Sequence, residues 1–323
     1  MDKKDKIAFI FPGQGSQYVG MGSDFYQSFQ SSKDVFDEAN EILDYDLKSI
    51  CFGGTEEELT KTENTQPAIL ATSIAMLKAL ESEGIDCDYT AGLSLGEYSS
   101  LVMSKSMEFK DALKIVKERG KFMQEAVPLG VGGMAAIMGL NKDMLPSVIE
   151  ATKKHGVVEV ANYNSPEQIV LTGELPGLQA ACEEAMKLGA RRAIPLPVSA
   201  PFHSSLLASA GEKLKNELST VQVQDARKKV VTNVDGMPII SKDEIKTKLV
   251  NQVSSSVLWQ QSVEFMINKG VNTFVEIGPG KSLTGFVRKI GKSMGKKVKA
   301  LNVNDLDSFK ETVEYLKSMK DGE

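Results

Sequence analysis

Tyr89-Thr90-Ala91-Gly92-Leu93-Ser94-Leu95-Gly96-Glu97-Tyr98 sets a short apolar strand against a turn of the form Gly-x-Ser-x-Gly and then a helix over 95–103. Read this way the segment is a nucleophile elbow. The tight turn lifts the serine oxygen clear of the backbone, the helix start offers N–H groups without intrahelical partners, and the glycines admit neighbouring chain. A helix N-cap serine beside a glycine turn is the other reading of the same residues. Outward from this stretch, short apolar runs alternate with amphipathic segments of helix length, the pattern of an α/β fold with a mostly parallel sheet. Upstream, residues 7–11 form a buried strand that opens onto Pro12-Gly13-Gln14-Gly15-Ser16-Gln17. Helices are predicted around 33–43 and over 67–82, with Pro67 in the first turn of the latter and Gly84 just past its end. Downstream, 109–127 is a long helix carrying Arg119.

The middle of the chain changes character. Residues 134–140 are strand-like, 142–154 helical, 157–162 and 168–172 a hairpin, 176–188 helical and 193–198 a strand, which is the ferredoxin-like order β-α-β-β-α-β. Gly130, Gly132 and Gly133 on one side and Pro195, Pro197 and Pro201 on the other bracket this unit as an insertion. The predicted architecture is an α/β, hydrolase-like large subdomain made of 1–128 and 199–323, with a ferredoxin-like small subdomain over 129–198. Strands at 227–233, 272–277 and 298–303, with helices at 281–290 and 308–319, resume the α/β alternation.

A net charge of −5 argues against a nucleic-acid binder, which needs a concentrated basic face. The apolar run at 7–11 is far too short for a signal or membrane segment, so a cytoplasmic protein is expected. Cys51, Cys87 and Cys182 are scattered and odd in number. Neither a disulfide framework nor a zinc cluster follows, and the two distant histidines offer no metal site.

An unassisted serine is a poor nucleophile and commonly relies on a histidine base. There are only two candidates. His155, in Lys153-Lys154-His155-Gly156, reads as a solvated residue at a helix end; His203 lies in the apolar loop Val198-Ser199-Ala200-Pro201-Phe202-His203-Ser204. A capping or core role is the alternative for His203, and the presence of Ser94 favours the base.

Several motifs, in order, carry a resemblance that spans nearly the whole chain. They are Phe11-Pro12-Gly13-Gln14-Gly15-Ser16-Gln17, Asn64-Thr65-Gln66-Pro67-Ala68, Gly92-Leu93-Ser94-Leu95-Gly96-Glu97-Tyr98, Arg119-Gly120, Pro201-Phe202-His203 and Glu276-Ile277-Gly278-Pro279-Gly280. Together they resemble malonyl-CoA:acyl carrier protein transacylases. The resemblance implies Ser94 as the acylated nucleophile and His203 as its base, the imidazole being oriented by a main-chain carbonyl near Gln252. It implies Gln14 and Leu95 as backbone oxyanion donors and Arg119 as receptor of the malonyl carboxylate, a planar fork that suits a carboxylate. Its partners would be malonyl-CoA and a holo-acyl carrier protein, with no cofactor and a monomeric state. Phe202 resembles the residue of malonyl-selecting relatives, whose ring leaves little room for an α-methyl group. Many relatives have His directly before the nucleophile; this chain has Leu93, which excludes a second-histidine mechanism.

Two other motifs fail on inspection. Gly13-Gln14-Gly15-Ser16-Gln17-Tyr18 lacks the third glycine of a dinucleotide fingerprint, and Gly280-Lys281-Ser282 lacks the first glycine of a phosphate loop, where Val275 stands. Because carrier proteins are acidic, a basic landing surface is expected from Arg191, Arg192, Lys281, Arg288, Lys289 and Lys292, each of which alone reads as a solvated charge. Two rival functions stay open: a serine hydrolase or thioesterase that passes the acyl group to water, and a scaffold that has kept the fold without the chemistry. A stand-alone acyltransferase of a polyketide assembly line would share every motif.

Overall fold

The computed structural model describes residues 5–198 and 200–321. The boundaries expected at 1, 199 and 323 lie outside the described residues. The chain runs β1 (Lys6–Phe11), α1 (Ser23–Ser28), α2 (Gln30–Leu43), α3 (Leu47–Gly53), α4 (Glu56–Thr60), α5 (Thr62–Ser82), β2 (Tyr89–Gly92), α6 (Gly96–Met103) and α7 (Phe109–Glu125). It continues through β3 (Gly132–Met138), α8 (Leu145–Thr152), β4 (Val158–Ser165), β5 (Gln168–Glu174), α9 (Leu175–Lys187) and β6 (Arg192–Pro195). The last part is α10 (Ala208–Thr220), β7 (Lys229–Val231), β8 (Pro238–Ile239), α11 (Lys242–Val253), α12 (Trp259–Asn268), β9 (Val271–Ile277), α13 (Ser282–Ser293), β10 (Lys299–Val303) and α14 (Leu306–Asp321).

Two sheets result. The larger has the order β10-β9-β1-β2-β7-β8 and is parallel except for β8. Its central strand β1 is apolar on both faces because both are covered. Phe9 and Phe11 enter the core shared with α5 and α7, while Ala8 and Ile10 pack with Trp259 of α12 and Val287 of α13. The smaller sheet has the order β4-β5-β3-β6 and is antiparallel throughout, the arrangement of a ferredoxin-like unit. The Val257 amide donates to the Ala161 carbonyl at 2.7 Å and the Tyr163 amide donates to Val257 at 3.0 Å. Those bonds tie β4 to the link between α11 and α12. Among the described residues no helix is long and apolar enough to cross a membrane.

Three sequence expectations are corrected. Helix α5 begins at Thr62, so Pro67 sits in its second turn and not its first. Tertiary packing holds the additional turn against the missing proline N–H: Thr62, Thr65 and Gln66 are buried, and Thr65 Oγ1 donates to the Leu59 carbonyl at 2.6 Å. The strand expected over 227–233 is confined to Lys229–Val231, which leaves Asn233 outside the ladder, free to bond elsewhere. Strand β6 stops at Pro195, so Leu196 and Val198 belong to the crossover. Helices α11 and α12 occupy a stretch for which the sequence analysis outlines no element.

Glu276, at the end of β9, anchors α13 from outside the helix. Its carboxylate is fully buried and accepts from Leu283 N at 3.1 Å, Thr284 N at 2.7 Å and Thr284 Oγ1 at 2.7 Å. Two otherwise orphaned first-turn amides are satisfied in this way. Glu276→Ala strands these buried donors and is expected to lower stability by about 3 kcal/mol. Urea denaturation checks this, and a loss below about 1 kcal/mol would contradict the capping role.

Candidate active site

The elbow is built by close contact of two loops. A Cβ on Gly92 would lie 1.9 Å from Gly96 C, and one on Gly96 2.1 Å from the Phe11 carbonyl oxygen, so neither position admits a side chain. A Cβ on Gly13 would likewise lie 2.4 Å from the Leu93 carbonyl oxygen, so the Gln14 loop passes close beside the turn. Ser94 itself has φ 53°, a left-handed conformation uncommon for serine. Asn233 straps it in place: its Oδ1 accepts from Ser94 N at 2.6 Å and its Nδ2 donates to the Gly92 carbonyl at 2.7 Å.

His203, also at positive φ (59°), places Nε2 2.7 Å from Ser94 Oγ. Its Nδ1 is 2.9 Å from the Gln252 carbonyl oxygen. A carbonyl only accepts, so Nδ1 carries the proton and Nε2 is left basic towards the serine hydroxyl. That carbonyl is available because Gln252 lies in the last turn of α11, where backbone oxygens lack intrahelical donors. Burial and then the nearby Arg119 cation push the imidazole pKa down to about 4, against the pull of the Gln252 and Ser255 backbone oxygens.

Arg119 is 1% exposed. Its Nη1 donates to Gln66 Oε1 at 2.7 Å, while Nη2 donates to Gln252 Oε1 at 3.0 Å and Ser94 Oγ at 3.1 Å. An arginine on a helix this rich in charge is ordinarily solvated; here the fold buries it beside Ser94. The Gln14 and Leu95 amides have no acceptor among the described residues, and the Gln14 side chain is tied to Thr62 Oγ1 at 3.2 Å.

These groups surround a cavity of about 150 Å³ between the two sheets. Gln14, Leu93, Ser94, Leu95, Arg119, Phe202 and His203 line it from the larger sheet's side, and Met134, Asn162, Asn164 and Val170 from the smaller. A wider groove of about 750 Å³ between the start of α5 and the end of α7 holds neither the nucleophile nor the base. His155 is exposed and does not line this cavity.

Of the basic residues, Arg191, Arg192 and Lys289 meet around a separate hollow of about 420 Å³, with Glu167 paired to Arg191 at 3.2 Å and to Lys289 at 3.3 Å. Arg288 does not join them: its Nη2 donates to the Ala300 carbonyl at 3.0 Å. Lys281 and Lys292 are exposed.

Three residues for which the sequence indicated no role hold the cluster together. Gln66 fixes Arg119, and Asn233 fixes Ser94. Glu97, 1% exposed, accepts through Oε2 from Asn233 N and Gln252 Nε2, both at 2.9 Å; burial raises its pKa to about 7. Glu97 and Gln66 stand inside two of the motifs that carry the resemblance, which give them no role. Asn233 reaches the site through contacts distant in sequence and has no such signal.

The chain matches the family described as acyl transferase domain over residues 8–317. It is 46% identical over 317 residues, 98% of this chain and 99% of the other, to the malonyl CoA-acyl carrier protein transacylase of Bacillus subtilis (strain 168). The crystal structure of malonyl CoA-acyl carrier protein transacylase from Clostridium perfringens superposes with a TM-score of 0.93 at 47% identity, covering 98% of each chain. A malonyl-transacylase solved in complex with its type II polyketide synthase acyl carrier protein gives 0.91 at 39% identity, covering 96% of this chain and 100% of that one.

A base whose pKa lies near 4 stays unprotonated through the neutral range. The rate at which an uncharged sulfonyl fluoride modifies Ser94 is therefore expected to be level from pH 8 to about 5 and to fall only towards pH 4. A half-point at the ordinary histidine value of 6.5 would contradict the burial argument.

Proposed function

This chain belongs to the acyl transferase domain family, and we propose that it carries malonyl from malonyl-CoA to the phosphopantetheine thiol of an acyl carrier protein. Ser94 Oγ attacks the thioester carbonyl as its proton passes to His203 Nε2. The tetrahedral oxyanion is met by the Gln14 and Leu95 amides, a type of contact worth on the order of 100- to 1,000-fold in rate per donor. Collapse forms the Ser94 ester and expels the CoA thiolate, which takes the proton from His203. The carrier thiol then gives its proton to Nε2 as its sulfur attacks the ester, and Ser94 leaves with that proton restored.

The observation that carries this reading is the buried guanidinium 3.1 Å from Ser94 Oγ. Hydrolysis of a neutral acyl group has no use for a buried cation at the nucleophile, whereas a malonyl group brings a free carboxylate that a bidentate fork fits. In the same reading Phe202 forms the cavity wall that disfavours an α-methyl group, and Arg191, Arg192 and Lys289 receive the acidic carrier, with Arg288 at the margin. The large subdomain comprises 1–128 and 199–323 and the small one 129–198. The enzyme works in the cytoplasm as a monomer without cofactor or metal, and its carrier belongs to fatty-acid synthesis or to a polyketide assembly line.

Arg119→Ala is expected to lower kcat/KM for malonyl-CoA by about 100-fold or more, the scale of a lost buried charge-assisted pair, with a much smaller effect on acetyl-CoA. Parallel kinetics with the two thioesters check this, and equal losses would refute the carboxylate role.

A further inference from the structure

Glu97 is a buried acid that the two half-reactions do not use. Its neighbour Gln252 turns one end of its amide to Glu97 and the other to Arg119: Nε2 donates to Glu97 Oε2 at 2.9 Å and Oε1 accepts from Arg119 Nη2 at 3.0 Å. The amide has one orientation, because a guanidinium only donates while Glu97 Oε2 and the Ser94 carbonyl, 3.1 Å from Nε2, accept. Among the described residues, the acceptors on Arg119's own donors are the neutral oxygens of Gln66, Gln252 and Ser94, with the Tyr98 ring centroid 5.6 Å from its Cζ. A cation buried in this way needs a counter-charge. Glu97 is the carboxylate whose field acts on Arg119, across one intervening amide.

We propose that Glu97 is a positioning residue, the relayed counter-ion of Arg119, which neutralises the resting site without occupying the guanidinium donors and limits how tightly Arg119 holds the acyl carboxylate. A direct ion pair would block the substrate. A site with no anion would grip malonyl too firmly to release it. The inference rests on the reading of Arg119 as the carboxylate receptor.

Glu97→Gln keeps an oxygen for Asn233 N and Gln252 Nε2 and removes only the charge. At pH 8, above the Glu97 value of about 7, it is expected to raise the malonyl-to-acetyl ratio of kcat/KM for Ser94 acylation about tenfold, through a lower KM for malonyl-CoA. In an Arg119→Ala background the same substitution should leave that ratio unchanged. A ratio that falls or stays the same, or that changes equally without Arg119, would overturn the proposal. If Arg119→Ala alone leaves the ratio unmoved, the carboxylate reading fails and takes this inference with it. Should Glu97→Gln be too unstable for kinetics, adding Arg119→Met is expected to restore part of the lost melting temperature. No recovery would overturn the pairing.

Discussion

Gln252 is the residue on which the site depends. Its backbone oxygen, left over at the end of α11, sets the His203 tautomer. Its side chain spans the carbonyl of the nucleophile, the buried acid and the buried cation. One residue thus fixes His203, the Ser94 turn and Arg119 relative to one another. An acid in place of the carbonyl would place a charge directly behind the imidazole and raise its basicity. With a neutral carbonyl, burial and Arg119 dominate, and the histidine stays a weak, unprotonated base.

The site also stores strain. Ser94 and His203 both hold positive φ, and they face each other across a 2.7 Å contact. Such conformations persist only where surroundings over-determine them. Asn233 supplies that constraint for Ser94, with bonds to the residue before the turn and to the nucleophile amide. The packing of Gly13 against Leu93 supplies it for the oxyanion loop. The smaller sheet lines one side of the cavity and is itself tied through Val257 to the chain just beyond Gln252, so that wall and His203 are held by the same stretch of chain.

The alternation of strands and helices and the β-α-β-β-α-β insertion are local patterns, and both sheets follow from them. Ser94 and His203 were legible because the elbow has a fixed spacing and histidine is scarce. Arg119 was legible only through resemblance, since a charged residue on a charged helix looks solvated. The contacts of Asn233, Glu97 and Gln66 were illegible for a shared reason, even though the last two stand inside quoted motifs: each is a common polar residue that hydrogen-bonds a distant segment. Asn233 meets Ser94 across 139 positions and Gln66 meets Arg119 across 53. Proline misled at α5, where packing outweighed a local rule, and charge alone could not separate Arg288 from the cluster of Arg191, Arg192 and Lys289.

A covalent relay through Ser94 requires an acyl-enzyme that the carrier alone unloads. Intact-protein mass spectrometry after exposure to malonyl-CoA, followed by addition of a holo-acyl carrier protein, reads out both steps. The expected result is one malonyl adduct, absent in Ser94→Ala, that persists in buffer and disappears as the carrier gains the same mass. No adduct, or an adduct lost to water as fast without the carrier, would contradict it.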